Sequence, residues 1–144
     1  MLFGAHYRSD EHVQLIFPRT TLNIRPAMDQ ADKIIYVEFH ASDLERTKAF
    51  FEKTFGWQFT DYGPDYTSFT DGQIAGGFAR SDKRASQAAG SALVVLFHPR
   101  LEETLRRVTD HGGKITQEIF SYPGGRRFHF TEPSGNELSV CYDP

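Results

Sequence analysis

One internal repeat runs through this chain of 144 residues and limits the folds that it can adopt. Each half reads as a strand, a helix and three further strands, with an interval of about 57 to 61 residues between matching motifs. A unit of this kind covers one face of its sheet with its helix and leaves the other face open, so two units together enclose a cavity. The matching motifs are Phe39-His40 with Phe97-His98, and Phe69-Thr70-Asp71 with Phe130-Thr131-Glu132.

The first half begins with alternating apolar and polar residues at 34–40, which predict a half-buried strand. Ser42 and Glu45, three residues apart, predict a capping box at the start of a helix that ends at Gly56. Turn residues divide the rest of this half into three predicted strands, at 57–61, 65–71 and 73–79.

The second half follows a polar connector at 80–91 and repeats the pattern. A strand at 92–98 precedes a helix with Pro99 in its first turn and Gly112-Gly113 at its end. Three more strands are predicted at 114–120, 126–131 and 136–142. The fold class is therefore α+β, with two tandem βαβββ modules forming a cupped mixed eight-stranded sheet and the helices on its convex face.

The repeat also sets the predicted domain boundaries. Residues 1–32 form an N-terminal extension, in which the alternating segments 12–17 and 20–24 fit an added strand pair. Residues 33–142 form the repeated domain, with module one at 33–80 and module two at 91–142. Because two modules leave sheet edges open and the extra strands need a partner, a homodimer is expected.

Composition excludes several classes of protein. The formal net charge of −3 carries no basic excess, which argues against nonspecific binding to nucleic acid or to a membrane surface. No apolar run reaches the length of about 18 residues that a transmembrane helix needs. The single cysteine, Cys141, cannot form an internal disulfide, so a reducing compartment, the cytoplasm, is expected.

Two segments carry a resemblance to a known family: VEFHASDLERTKAFFEKTFGWQF at 37–59 and FTEPSGNELSV at 130–140. They resemble the vicinal oxygen chelate superfamily, also called the glyoxalase, bleomycin resistance protein and extradiol dioxygenase superfamily. The resemblance covers residues 33–142 and implies the cupped fold. In members that are enzymes it also implies a divalent metal, held by His and Glu side chains on the concave face and acting as a Lewis acid.

The positions that the resemblance assigns to metal ligands carry other residues here. They fall on Tyr36 in the first strand, Ser139 in the last strand, Gly76 as the counterpart of Ser139, and one residue within 92–94. None of these side chains is an ordinary His or carboxylate ligand. The sequence therefore predicts no metal and no cofactor at the usual site.

Strand alternation identifies the side chains that face the predicted cavity, because the apolar set must pack against the helices. Glu38 and Arg127 are the charged members of this set, and His98 is included as the repeat partner of His40. No catalytic residue is identified. The predicted ligand-binding residues are Tyr36, Glu38, His40, His98, Arg127, His129 and Ser139.

Three interpretations of these residues stay open. They are polar side chains on a wet sheet face, or a pocket for an organic ligand, or a displaced metal site built from Glu38, His40 or His129. In the pocket, Glu38 and Arg127 fix polar groups, and the stacking side chains are Tyr36, Phe59, Tyr66 and Phe69. We expect a glyoxalase-like protein that binds a small molecule without metal. The alternatives are a metal-dependent lyase, isomerase or dioxygenase, and a drug-sequestering resistance protein.

Overall fold

The computed structural model of the chain describes residues 12–14, 21–23 and 28–144, which fall in two compact units, Met1–Ile35 and Tyr36–Pro144. In the first unit, strand β1 (His12–Gln14) pairs antiparallel with β2 (Thr21–Asn23). The other residues before Met28 in the expected extension lie outside the described residues. Attachment of this strand pair to a sheet edge stays a prediction.

The second unit contains the two predicted modules in chain order. Module one consists of β3 (Tyr36–Ala41), α1 (Leu44–Phe55), β4 (Gln58–Asp61), β5 (Tyr66–Thr70) and β6 (Ala75–Arg80). Module two consists of β7 (Val94–Phe97), α2 (Leu101–Asp110), β8 (Lys114–Tyr122), β9 (Gly125–Thr131) and β10 (Glu137–Tyr142). The connector between them contains one short 3-10 turn, Gln87–Ala89.

Each module forms its own mixed sheet. The strand orders are β3-β6-β5-β4 and β7-β10-β9-β8, in which β3 pairs parallel with β6 and β7 pairs parallel with β10. These topologies confirm the α+β class and the two tandem modules. The eight strands are hydrogen-bonded as two sheets of four, with β3 and β7 at sheet edges. None of the helices in the described residues has the length and apolar character that a bilayer crossing requires.

The predicted C-terminal end of α1 is correct, whereas the predicted N-terminal ends of α1 and α2 are each wrong by one residue or more. Gly56 adopts the left-handed conformation, with a φ of 73°, and its N–H bonds back to the last turn, as predicted. The N-cap is Asp43 and not Ser42, because the Asp43 carboxylate accepts a hydrogen bond from the Arg46 N–H at 3.0 Å. In α2 the N-cap is Arg100, so Pro99 precedes the helix and does not lie in its first turn.

Aromatic rings fill the space between α1 and the two sheets. Phe51 stacks on Trp57 with ring centroids 4.3 Å apart, and Trp57 stacks on Phe69 at the same distance. Phe50 of the same helix reaches Phe130 of the second sheet at 5.8 Å. One helix therefore packs against both modules and fixes their relative position through burial of large apolar side chains.

A buried carboxylate also joins the modules. Glu132 is 2% exposed and accepts four hydrogen bonds, from the Thr47 hydroxyl, the Ser134 N–H, and the backbone and side-chain amides of Asn136. Thr47 lies on α1, whereas Glu132 follows β9, so the network connects module one to module two. Asn136 extends it by donating to the carbonyl of His40 at 2.7 Å. Burial raises the pKa of Glu132 despite these hydrogen bonds.

One sequence match within the repeat is wrong. Phe39 is 5% exposed and packs in the core, whereas Phe97 is 62% exposed. In the parallel ladders Phe39 lies opposite Phe78, and Leu96 lies opposite Val140. The structural counterpart of Phe39 is therefore Leu96. The alignment that matches Phe39-His40 to Phe97-His98 by identity is shifted by one residue from the alignment given by the strand pairing.

Candidate functional site

Each sheet has a helix face and an open face on the opposite side. Phe39 is buried on the helix face of the first sheet, and Phe128 is buried on that of the second. Since side chains alternate along a strand, their neighbours lie on the open faces. The predicted site residues on the open faces are Tyr36, Glu38 and His40 on β3, Arg127 and His129 on β9, and Ser139 on β10.

The open face of the first sheet carries a hydrogen-bonded chain of three side chains. Tyr66 donates its phenol proton to Glu38 Oε1 at 2.9 Å, and the Tyr36 hydroxyl forms a short hydrogen bond with the Tyr66 hydroxyl. Because Tyr66 has only one proton to give, Tyr36 is the donor in that second bond. Burial, followed by the bonds to Tyr36 and Glu38, raises the pKa of Tyr66, so this phenol stays protonated at neutral pH.

Gly77 makes room for the tyrosine pair. A Cβ atom at this position would lie 2.6 Å from Tyr66 Cζ and 2.7 Å from the Tyr36 hydroxyl oxygen. Gly77 pairs with Glu38 in the first sheet as Ser139 pairs with Val95 in the second. The structural counterpart of Ser139 is therefore Gly77, and the assignment of Gly76 is wrong by one residue.

The open face of the second sheet brings together Arg127, His129 and Glu137. His129 is 7% exposed, and its Nδ1 lies 3.5 Å from Glu137 Oε2. The guanidinium of Arg127 lies 5.4 Å from the ring centroids of both Phe120 and Tyr122, within the range of cation-π attraction. A cation, an oriented imidazole and two aromatic rings thus share one face.

Two nitrogen atoms of this group find no hydrogen-bond partner among the described residues. Arg127 Nε and His129 Nε2 are buried and have no hydrogen-bond partner within the part of the chain that the structure describes. The nearby Glu137 carboxylate is not their partner: its Oε1 accepts the Gln87 N–H at 2.9 Å, and its Oε2 lies 3.5 Å from the other ring nitrogen, His129 Nδ1. Buried polar atoms in native proteins are nearly always paired. His40 Nδ1 and Arg107 Nε are also buried without a partner in the described residues, but only Arg127 and His129 bring two such atoms to one strand.

The other predicted residues are placed differently. Ser139 is fully buried and donates its hydroxyl to the Phe128 carbonyl at 2.9 Å. His98 lies at the start of α2, where its Nδ1 accepts the Arg100 N–H at 3.0 Å. Burial, and then the charges of Arg107 and Arg100, lower the pKa of His98, which favours the neutral imidazole. His98 therefore contacts the helix start and is not brought into the Arg127 group.

The residues at the assigned metal positions do not fit a divalent ion. The Tyr36 hydroxyl is hydrogen-bonded to Tyr66, and Gly77 has no side chain. The Ser139 hydroxyl donates its hydrogen bond to the Phe128 carbonyl. The positions from 92 to 94 carry only alanine, leucine and valine. No group of three or more His, Cys, Asp or Glu side chains in the described ranges is arranged to hold a metal.

Sequence reasoning missed part of this arrangement. Phe59 and Phe69 were expected to stack on a ligand, but Phe69 is buried in the core and Phe59 lies opposite it in the ladder on the same face. The rings that flank Arg127 are Phe120 and Tyr122 instead. Strand β8 has register shifts between Ile115 and Phe120, which break the alternation that would have placed Phe120 on the open face.

Comparisons with known proteins agree with this architecture. FosX, a fosfomycin resistance protein from Listeria monocytogenes, superposes with a TM-score of 0.66 at 14% identity, covering 78% of this chain and 94% of that one. FosX from Mesorhizobium loti gives 0.63 at 14% identity, covering 78% and 93%. A glyoxalase/bleomycin resistance protein/dioxygenase family enzyme from Burkholderia phytofirmans gives 0.65 at 12% identity, covering 76% and 97%. No curated protein sequence matches this chain.

At these sequence identities the solved structures support the fold alone. Membership of a family is shown by the match to a family profile. The profile of the Glyoxalase/Bleomycin resistance protein/Dioxygenase superfamily matches residues 33–140, which is most of the chain. The matched range contains module one, module two as far as residue 140 in β10, and every residue of the two open-face groups. The chain therefore belongs to the glyoxalase/bleomycin resistance protein/dioxygenase superfamily.

Proposed function

We propose that this chain binds a small organic acid on the open face of the second sheet, at Arg127 and His129, without a divalent metal. The observation that carries the proposal is the pair of buried nitrogens, Arg127 Nε and His129 Nε2, that find no partner in the described residues. A buried polar group without a partner costs about 1 to 3 kcal/mol. A ligand that supplies both partners recovers that cost on binding.

The two nitrogens define the chemistry of the ligand. Arg127 Nε is a permanent donor, and a guanidinium prefers the two oxygens of a carboxylate. The Glu137 carboxylate beside His129 Nδ1 favours the tautomer with its proton on Nδ1, which leaves a lone pair on Nε2. That lone pair accepts a hydrogen bond from a hydroxyl group. The site therefore suits a small acid that carries a hydroxyl near its carboxylate.

Substitution of Arg127 tests this ligand class. We expect Arg127→Gln to weaken the binding of a hydroxy acid about tenfold or more, because it removes a charge-assisted hydrogen bond. The measurement is isothermal titration of wild type and variant with lactate, malate and salicylate. Arg126→Gln is the matched control: it removes the same charge from the neighbouring residue, whose guanidinium pairs with Glu102 at 2.8 Å.

The titration has two contradicting results. If none of the three acids binds wild type saturably, the proposed ligand class is wrong. If Arg126→Gln weakens binding as much as Arg127→Gln does, general electrostatic attraction explains the binding and the open-face site is wrong.

A second candidate is a metal-dependent enzyme with displaced ligands, and the similarity to FosX favours it. One solved structure is a mutant of Listeria monocytogenes FosX in complex with Mn(II) and 1S,2S-dihydroxypropylphosphonic acid, with a TM-score of 0.63 to this chain. In this chain the ligands would come from Glu38, His40 or His129. Glu38 already accepts a hydrogen bond from the Tyr66 hydroxyl, which is why we rank this candidate second. A drug-sequestering role without metal is a third candidate, and it shares the open face with the first.

The assembly and the compartment are part of the proposal. Strand β7 is a sheet edge, and its open-face residues Val95 and Phe97 are 43% and 62% exposed. Exposed apolar side chains on an unpaired edge favour association with a second copy of the chain. We therefore propose a homodimer, and the lone Cys141 fits a reducing cytoplasm.

Substitution of Phe97 tests the dimer. We expect Phe97→Asp to convert the dimer to monomer at micromolar concentration, because a charge at this position opposes burial of the strand. Light scattering measures the mass. Tyr62→Asp is the control, since Tyr62 is exposed to a similar degree on a loop of module one. A monomeric wild type, or a dimeric Phe97→Asp, contradicts the proposal. Loss of the dimer on deleting residues 1–27 would show that this segment contributes to it.

A further inference from the structure

A second cleft lies where the two modules meet, and it shares one lining residue, Glu137, with the Arg127 group. It has a volume of about 620 Å³ and is formed by the start of α1, the connector after β6, strands β8 and β9, and the turn before β10. Neither Arg127 nor His129 lines it. Three cationic side chains do: Arg46, Arg84 and Lys114.

Among the described residues, these three cations have no ion-pair partner. In the described part of the chain, no Asp or Glu oxygen lies within 4.0 Å of their charged nitrogens. The two carboxylates that line the cleft are engaged elsewhere: Glu132 accepts its four internal hydrogen bonds, and Glu137 accepts the Gln87 N–H and faces His129. With three cations and two carboxylates, the cleft carries a formal net charge of +1 within a chain whose net charge is −3.

One of the cations lies over a glycine. Arg84 packs across Gly135, which has a φ of 91° in the turn before β10, a conformation that favours glycine. A Cβ atom on residue 135 would lie 2.8 Å from Arg84 Cδ and 3.1 Å from its Nη1, so a side chain there would push the end of Arg84 aside. Hydroxyl groups complete the lining, and none of the following side-chain oxygens is used in a hydrogen bond within the described residues: Ser42, Ser86 and Thr131.

We propose that this cleft is a second binding site, for a small molecule that carries a phosphate group. Three cations on separate elements surround a group from several directions, which matches a tetrahedral oxyanion better than a planar carboxylate. Arginine and lysine both bind phosphate, arginine through paired N–H donors and lysine as a point charge. The free hydroxyls of Ser42, Ser86 and Thr131 add donors to the remaining oxygens. This site extends beyond the proposed function and does not depend on it.

Inorganic pyrophosphate is the probe for this site. Isothermal titration at constant ionic strength compares the full chain with the double variant Arg84→Gln/Lys114→Gln. We expect saturable binding to wild type and a loss of affinity of about tenfold or more in the double variant, since two charge-assisted contacts are removed. The matched control is Lys83→Gln/Arg106→Gln, which removes the same total charge from residues that do not line the cleft.

The titration distinguishes this site from the one on the open face. Arg127→Gln is expected to leave pyrophosphate binding unchanged, because Arg127 does not line the cleft. The absence of saturable binding to wild type overturns the proposal. So does an equal loss in the Lys83→Gln/Arg106→Gln control, which would mean that net charge alone attracts the anion.

Discussion

Glu132→Gln is expected to lower the free energy of unfolding by about 3 kcal/mol, because an amide nitrogen replaces one acceptor in a buried network. In the wild type both carboxylate oxygens accept two hydrogen bonds each. The amide group of Gln turns a donor toward either the Ser134 N–H or the Asn136 amides, so at least one donor is left unpaired. Thermal unfolding measures the loss, which for a unit of this size amounts to about 10 °C or more.

The control for this variant is Glu52→Gln, on the exposed side of α1. We expect its midpoint to stay close to that of the wild type, because its side chain is exposed to solvent. A Glu132→Gln variant that unfolds at the wild-type temperature contradicts the role assigned to this network.

The same carboxylate makes a prediction about pH. Since burial raises the pKa of Glu132 above its unfolded value of 4.5, the folded chain holds this proton to higher pH than the unfolded chain does. The stability that Glu132 contributes is therefore full below about pH 4.5 and falls as the pH rises through the folded pKa. The stability difference between wild type and Glu132→Gln should be larger at about pH 4 than at about pH 7. A difference that grows toward neutral pH would contradict the stated direction.

Gly76→Ala is expected to cost about 3 kcal/mol, the upper end of the usual range for overpacking. The added Cβ would overlap the Phe69 ring and the carbonyl oxygen of Val37 on the neighbouring strand. The ring is buried in the core and the carbonyl is part of the β3-β6 ladder, so neither moves without disturbing the sheet. Urea unfolding measures the change.

Gly77→Ala is the matched comparison. Its Cβ would meet only the outer parts of the Tyr36 and Tyr66 side chains, on the open face. Side chains can shift there more easily than a backbone carbonyl, so we expect a cost of about 1 kcal/mol. Equal costs for the two alanines would show that the two faces of β6 are not as different as the strand register indicates.

Much of this fold follows from local patterns in the sequence. Period-two alternation predicts the buried Phe128 and Phe130 on β9, and the left-handed Gly56 ends α1 where the turn chemistry requires it. These features depend on neighbouring residues only. The division into two tandem modules followed from the internal repeat, and the superfamily followed from the resemblance of the segments at 37–59 and 130–140 to its members.

The site was harder to predict, because it depends on register between distant strands. Matching Phe39-His40 to Phe97-His98 by identity displaced the first strand of module two by one residue, and aligning Gly72 with Gly135 separately assigned Gly76 in place of Gly77. A shift of one residue moves a side chain to the other face of a sheet. The position of Phe120 beside Arg127 could not be predicted either. The irregular register of β8 breaks the alternation from which the sheet face of a side chain is inferred.

Metal analysis tests most directly the proposal that this member of the superfamily binds its ligand without a metal at the usual position. The purified full chain is dialysed against zinc, nickel, iron or manganese ions, and both its bound metal and its melting temperature are then measured. We predict no stoichiometric metal and no shift in the melting temperature. A stoichiometric metal whose stabilising effect is lost in Glu38→Ala or His40→Ala would contradict the claim and establish the displaced metal site.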